Sequence, residues 1–233
     1  MCLTIFDTVL RTFLDTRLTM IESIRSIART YFRPEMNPAH DWFHVQRVER
    51  NADELLRDYP HVDATRIRLS VLLHDIGRAK EDRGDIEDHA EWGATESARI
   101  LDEHGASEET IDAVTHCIRA HRYSTHIAPK TTEAKIVSDA DNLDALGAIG
   151  IARCFTYGGE RGLSIHNPSL PPEEDASTAG TTQFNHLYNK ILDLPNRMYT
   201  DAGKELAEER SEFVRRFTQR FKKETTGRST ESH

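Results

Sequence analysis

Two histidines and two aspartates in this chain occupy positions from which they can share a divalent cation. His74 and Asp75 are adjacent and follow the apolar run Val71-Leu72-Leu73, at what we predict to be the end of a buried helix. Asp139 falls on the apolar face of a later helical segment, and His44 lies on an earlier one. Neutral imidazoles with two carboxylates balance the charge of a divalent ion, which explains how such polar groups can be buried together.

Each of these residues also has a plainer interpretation. A carboxylate at the C-terminal end of a helix is repelled by the helix dipole and is costly to bury, so Asp75 needs a cation, which can be Arg78 as well as a metal ion. A buried histidine is more often a hydrogen-bonded core residue than a ligand, and an aspartate on a helix is more often a cap. His40-Asp41 is a second His-Asp pair, and it is typical of a helix start. The dipeptide alone therefore decides little.

Composition limits the classes of function. Of the 233 residues, 37% are hydrophobic and 30% are charged, which predicts a globular chain with a well-solvated surface. The net charge of −9 argues against general binding to nucleic acid or to a membrane surface, but not against a small anionic substrate held by a metal. No apolar run reaches the ~20 residues that span a bilayer. Because Cys2, Cys117 and Cys154 form no CxxC pair, a reducing compartment is indicated, and we expect a cytoplasmic protein.

Helical periodicity covers most of the chain and no stretch alternates convincingly with period two, so we predict an all-α fold. Asp41 is the predicted N-cap of a helix over about 42–58, and Asp63 caps the helix that carries the His74-Asp75 pair. A solvated, charged loop is predicted over 78–88. The other predicted helices cover residues 89–104, 108–122, 132–157, 184–194 and 202–222.

Three motifs taken together resemble a known family. They are Asp41-Trp42-Phe43-His44, Leu73-His74-Asp75-Ile76-Gly77 and Ser138-Asp139-Ala140-Asp141-Asn142-Leu143-Asp144. In this order they are similar to the H…HD…D signature of the HD-domain superfamily of metal-dependent phosphohydrolases, and they look like its small stand-alone hydrolases. The similarity covers residues 20–222. Residues 1–19 are predicted to form an N-terminal helical extension, and residues 223–233 a disordered tail.

The resemblance implies a single all-α HD-domain helical bundle in which His44, His74, Asp75 and Asp139 hold the metal. Nitrogen and oxygen ligands of this kind favour Mn²⁺, Fe²⁺, Co²⁺, Ni²⁺ or Mg²⁺ over a closed structural zinc site. Such an ion lowers the pKa of a water molecule and polarises a phosphoryl group, with Asp75 or Asp139 orienting that water or accepting its proton. The implied reaction is hydrolysis of a phosphate mono- or diester, with a nucleotide as the expected substrate.

Further candidates lie between the HD pair and the last aspartate motif. Some members of the superfamily bind additional metal ions through histidines in this interval, and others use them on substrate phosphate. His89, His116 and His121 are therefore candidates for a second metal site or for substrate binding, with a packing or surface role as the alternative. Arg78 can neutralise Asp75 or contact phosphate, and we favour phosphate.

Two other functions stay open. Superfamily members with extra iron ligands include oxygenases, so an HD-fold di-iron oxygenase is one alternative. A non-catalytic sensor that binds a nucleotide or a metal is the other, and the intact ligand set counts against it. The amphipathic N-terminal segment is a candidate dimer contact, so a homodimer is also left open.

Overall fold

The computed structural model describes residues 17–32, 37–122 and 127–226. These residues form helices and connecting turns, and no strand occurs among them, which confirms the predicted all-α fold. None of the described helices is long and apolar enough to cross a bilayer.

The described residues form ten α-helices. They are α1 (17–29), α2 (Trp42–Leu56), α3 (Ala64–Leu73), α4 (Arg78–Asp82), α5 (His89–Glu103), α6 (Glu108–His121), α7 (Thr132–Asp144), α8 (Gly147–Glu160), α9 (Gln183–Asn189) and α10 (Asp201–Thr226). Short 3₁₀ turns cover Pro38–His40, Pro172–Glu174 and Ile191–Arg197.

The helices group into two compact units. The first unit is Met1–Met36 with Tyr59–Val137, and the second is Asn37–Asp58 with Ser138–His233. The first therefore contains α1 and α3 to α6, and the second contains α2 and α8 to α10. Helix α7 begins in the first unit and ends in the second.

The two predicted terminal segments fall largely outside the described residues. Of the predicted N-terminal extension, residues 1–16 are outside them, and residues 17–19 are helical. Of the predicted tail, residues 227–233 are outside them. Residues 223–226 continue α10, so the helix extends beyond its predicted end.

Side-chain caps determine where several helices begin. The Asp41 carboxylate accepts the backbone N–H of His44 at 2.9 Å and caps α2. The Asp63 carboxylate accepts the N–H of Thr65 at 2.9 Å and caps α3. Both predicted caps are confirmed. Asp88 caps α5 in the same way.

Helix α3 forms the core of the first unit. Its side chains Ile67, Leu69, Val71, Leu72 and Leu73 are all 0% exposed, and α6 packs against it. Because α3 ends at Leu73, the HD pair lies in the turn that follows it. A short helix, α4, replaces the beginning of the predicted charged loop.

The segment predicted as one helix over 132–157 is broken into α7 and α8. Gly147 has a φ of +66°, a left-handed conformation that favours glycine and is incompatible with a continuous α-helix. Helix α8 then packs against α9 and α10. Aromatic rings fill part of this core, with Phe184 and Phe221 stacked at a centroid distance of 4.6 Å.

Candidate metal centre

The HD pair lies in a turn that packs closely against the start of α5. The turn is closed by the N–H of Arg78, which donates to the backbone oxygen of Asp75 at 2.9 Å. A Cβ atom at Gly77 would lie 2.6 Å from the backbone oxygen of His89, so a larger residue would push the two segments apart. The φ of Gly77 is −85°, in the right-handed region. This glycine therefore serves close packing, and α3 has already ended at Leu73.

Three imidazoles of the first unit face the Asp75 carboxylate. The Nε2 atoms of His89 and His121 lie 3.2 Å and 3.8 Å from Asp75 Oδ1. The Nε2 atom of His74 lies 3.7 Å from Oδ2. Asp75, His89 and His121 offer ligand atoms that all lie within 4.8 Å of one another. All four residues are buried, with at most 4% of their surface exposed.

The Nδ1 atoms of two of these rings are held by the backbone. His74 donates its Nδ1–H to the carbonyl oxygen of Val71 at 2.7 Å. His121 donates its Nδ1–H to the carbonyl oxygen of Ile118 at 2.5 Å. Because a neutral imidazole that is protonated at Nδ1 carries its lone pair on Nε2, both rings present a ligand atom on the side that faces the carboxylate.

His89 is held by a carboxylate instead. Its Nδ1–H donates to Glu81 Oε2 at 2.9 Å. Burial raises the pKa of Glu81, but the charge of His89 and the hydrogen bond from Arg122 outweigh it and lower the pKa below its ordinary value. Burial lowers the pKa of His89, but the hydrogen bond to Asp75 and the charge of that carboxylate raise it above its ordinary value. The site thus attracts positive charge, which a metal ion can supply in place of a proton.

In the second unit, His44 is oriented by a carboxylate that two arginines hold. The Nδ1–H of His44 donates to Asp144 Oδ2 at 2.7 Å. Arg47 Nε donates to Oδ1 at 2.7 Å, and Arg153 Nη1 donates to Oδ2 at 2.9 Å. Burial raises the pKa of Asp144, but the hydrogen bonds from His44 and Arg47 lower it below its ordinary value. An ionised carboxylate on Nδ1 leaves the Nε2 lone pair for a metal, an arrangement typical of metal-binding histidines.

Asp139 is buried, as predicted, but its carboxylate contacts the segment before α10. Its Oδ1 accepts the N–H of Tyr199 at 2.9 Å. Its Oδ2 accepts the N–H of Thr200 at 2.8 Å and the hydroxyl of the same residue at 2.6 Å. A Cβ atom at Gly203 would lie 2.5 Å from Oδ2, so this glycine permits the approach. Asp139 therefore anchors the residues at the start of α10, which is close to the capping role named above as the plainer interpretation of an aspartate on a helix.

Asp141, two residues further along α7, faces His44. Its Oδ1 lies 3.4 Å from His44 Nε2, the nitrogen opposite Asp144, and its side chain is 26% exposed. The sequence analysis favoured Asp139 because it lies on the apolar stripe. Asp141 is the aspartate of this motif that lies beside His44 Nε2, and an apolar pattern contains no information on such a contact.

The remaining predicted residues make other contacts. The Nε2 atom of His116 accepts the backbone N–H of Lys130 at 3.0 Å, so this ring links α6 to the segment before α7 and is not part of the cluster around Asp75. Arg78 pairs with acids of its own helix, with distances of 3.3 Å to Glu81 and 3.5 Å to Asp82. Glu81 falls in the loop predicted to be charged and solvated over 78–88, so its contact with His89 was not predicted.

Comparison with known proteins identifies similar chains. A model of the HD domain matches residues 42–146. The protein YpgQ of Bacillus subtilis is 31% identical over 219 residues, which are 92% of this chain and 98% of YpgQ. The crystal structure of an HD-superfamily hydrolase from Bacillus thuringiensis has 32% identity and a TM-score of 0.69, and covers 91% of this chain and 100% of that one. The crystal structure of YpgQ in complex with ADP has 29% identity and a TM-score of 0.70, covering 90% of this chain and 96% of that one.

Proposed function

Because this chain belongs to the HD-domain superfamily, we propose that it is a metal-dependent phosphohydrolase that cleaves a phosphate mono- or diester of a nucleotide. One observation carries the proposal: the Nε2 atoms of three imidazoles face one buried carboxylate, while each Nδ1 atom is held by another acceptor. Buried imidazoles and a carboxylate are a donor set that fits a divalent transition metal.

The proposed ligands of the first ion are His44, His74 and Asp75 with one aspartate of α7. This set rests on the H…HD…D motif. Asp139 is the ligand that the motif predicts. Asp141 is the better candidate, since it contacts His44 Nε2 whereas both oxygens of Asp139 already accept hydrogen bonds.

A second ion is proposed at Asp75, His89 and His121. The two oxygens of Asp75 face different histidines, so this carboxylate would contribute to the ligand sets of both ions. Divalent ions supply a water molecule of lowered pKa and polarise the phosphoryl group. Asp75 and the aspartate of α7 orient the water or accept its proton. Arg78 and His116 stay predictions as phosphate contacts.

The choice of a nucleotide is supported by the ADP bound to YpgQ. The net charge of −9 agrees with recognition of phosphate by metal ions and not by a basic surface.

A hydrolysis panel tests this proposal. Nucleoside mono-, di- and triphosphates and bis(p-nitrophenyl) phosphate are assayed with Mn²⁺, Mg²⁺, Co²⁺, Ni²⁺ and Zn²⁺. We expect metal-dependent release of phosphate, pyrophosphate or nitrophenol. The double variant His74→Ala, Asp75→Ala is expected to lose metal and activity while keeping its circular dichroism. Full activity in that variant would refute the proposal.

The trio Asp75, His89 and His121 also favours a second function, a di-iron oxygenase, because such enzymes need ligands for two irons. Anaerobically purified protein separates the two functions. A hydrolase works with Mg²⁺ or Mn²⁺ in the absence of O₂, whereas an oxygenase retains two irons with a Mössbauer signature of a coupled pair. A sensor would bind nucleotide without turnover under every condition.

A further inference from the structure

Glu81 on α4 contacts His89 on the side of the ring opposite to Asp75. Its Oε2 accepts the Nδ1–H of the ring at 2.9 Å, and its Oε1 lies 3.4 Å from the backbone N of the same residue. One carboxylate therefore contacts both the ring and the backbone of the residue that begins α5. The Glu81 side chain is 15% exposed, although it lies in a run of charged residues.

Arg122 holds the other side of this carboxylate. Its Nη1 donates to Glu81 Oε1 at 2.5 Å, and lies 3.4 Å from Oδ2 of Asp88, the N-cap of α5. Arg122 directly follows His121, the last residue of α6. One guanidinium thus connects the carboxylate that holds His89 to the N-cap of α5, and it belongs to the residue next to His121.

The charge of Glu81 has a chemical consequence for His89. A carboxylate accepts hydrogen bonds and cannot donate them, so each of the two carboxylates at this ring, Glu81 at Nδ1 and Asp75 at Nε2, favours the proton on its own side. The contact of Nδ1 to Glu81, 2.9 Å, is shorter than that of Nε2 to Asp75, 3.2 Å, and than that of Arg122 Nη1 to Nδ1, 3.4 Å. The neutral ring therefore carries its proton on Nδ1 and its lone pair on Nε2. A glutamine of the same shape can donate or accept, and would leave both tautomers accessible.

We propose that Glu81, backed by Arg122, is a positioning residue that fixes the Nδ1–H tautomer of His89 and thereby sets the metal affinity of the Asp75–His89–His121 site. The affinity part rests on the proposed function. The tautomer part does not, because it concerns the metal-free chain.

The first experiment measures the tautomer in the full chain freed of metal. Long-range ¹H–¹⁵N correlation spectra at alkaline pH, where the rings are neutral, are recorded for the wild type and for Glu81→Gln, with His89→Gln to assign the signal. We expect the Nδ1–H form in the wild type and a mixture with the Nε2–H form in Glu81→Gln. An unchanged Nδ1–H form in Glu81→Gln overturns the proposal and leaves Glu81 as a simple link between α4 and α5.

The second experiment titrates the same chains with Mn²⁺ by calorimetry and electron paramagnetic resonance. We expect two ions in the wild type, and in Glu81→Gln a loss of about 10- to 100-fold in affinity for the second ion only, with loss of the spin-coupled signal. Arg122→Gln is expected to act in the same direction.

Glu91→Gln and Arg119→Gln are the matched controls, because these residues form an exposed pair on α5 and α6 at 2.9 Å. These two substitutions remove the same charges as Glu81→Gln and Arg122→Gln. Both control variants should bind two ions with the affinity of the wild type. Equal second-site affinity in Glu81→Gln and Glu91→Gln, or a single ion in the wild type, contradicts the proposal. A wild type that binds no metal contradicts the proposed function, and the tautomer measurement still tests Glu81.

Discussion

Replacing Asp144 by asparagine removes a negative charge that accepts hydrogen bonds from one histidine and two arginines. The side chain of Asp144 is 3% exposed, and it accepts hydrogen bonds from His44, Arg47 and Arg153 at 2.7 to 3.0 Å. Asparagine keeps the shape but offers one acceptor oxygen, so part of this network is lost. The variant also leaves the Nδ1 proton of His44 without an ionic acceptor.

The magnitude follows from burial and screening. Removing one member of a fully buried ion pair costs about 3–5 kcal/mol. The side chains of Arg47 and Arg153 are 21% and 15% exposed, so water offsets part of this loss. We expect Asp144→Asn to lower the free energy of unfolding by about 2–3 kcal/mol, which is about 4–12 °C in Tm for a chain of this size. Because the orientation of His44 is weakened, metal affinity should fall about 10- to 100-fold.

The assay is urea unfolding combined with a Mn²⁺ titration. The control is Asp193→Asn, which removes an ion pair with Arg197 of similar length, 2.7 Å, from a side chain that is 43% exposed. That control should cost less than about 1 kcal/mol and leave metal binding unchanged.

The pH dependence of this effect has a definite sign. The pKa of Asp144 is lowered in the folded chain, so its contribution is present above the ordinary aspartate pKa of about 3.9 and is lost as the pH falls through the folded value. The stability difference between wild type and Asp144→Asn should therefore be constant near neutral pH and shrink below about pH 4. If Asp144→Asn matches Asp193→Asn in both stability and metal binding, the reasoning about this network is wrong.

Three further predictions use the same methods. Asp141→Asn should weaken Mn²⁺ binding with little loss of stability. Asp139→Asn should lose about 1–3 kcal/mol of stability, because an amide cannot accept all three hydrogen bonds that the carboxylate accepts. The reverse pattern would make Asp139 the ligand. Gly77→Ala should cost about 1–3 kcal/mol in urea unfolding, since its Cβ meets backbone at the start of α5 at 2.6 Å, and a neutral effect would contradict the close packing. Burial raises the pKa of Cys117 and of Cys154 to about 12, so neither thiol should react with iodoacetamide at pH 8 in the folded protein, as peptide mass spectrometry can check.

The helices and the HD pair were predictable because their signals are local. An apolar run before His74 and a capping residue at Asp63 are properties of neighbouring residues, and they determine both the helix and the burial of the pair. The break before Gly147 was not predictable in this way, because apolar residues at helical spacing continue on both sides of it.

The roles of Asp139 and Glu81 depend on partners that are distant in the sequence. Asp139 was predicted to be buried, and it is, but its partner Thr200 lies 61 positions away. Glu81 lies in a run of charged residues that is typical of a solvated loop, and its partner Arg122 lies 41 positions away in the sequence. Burial can be predicted from a pattern of neighbours, whereas the choice between a cap and a ligand needs the tertiary contact.

The three imidazoles around one carboxylate have a practical consequence for handling the protein. Nitrogen-rich donor sets bind Ni²⁺, Cu²⁺ and Zn²⁺ more tightly than Mn²⁺ or Fe²⁺, following the Irving–Williams order. If the proposed metal sites exist, protein purified on a nickel column or expressed in zinc-rich medium should carry the ion that was most available during preparation. Removing the metal with a chelator and reloading one metal at a time then tests which ion supports the proposed hydrolysis.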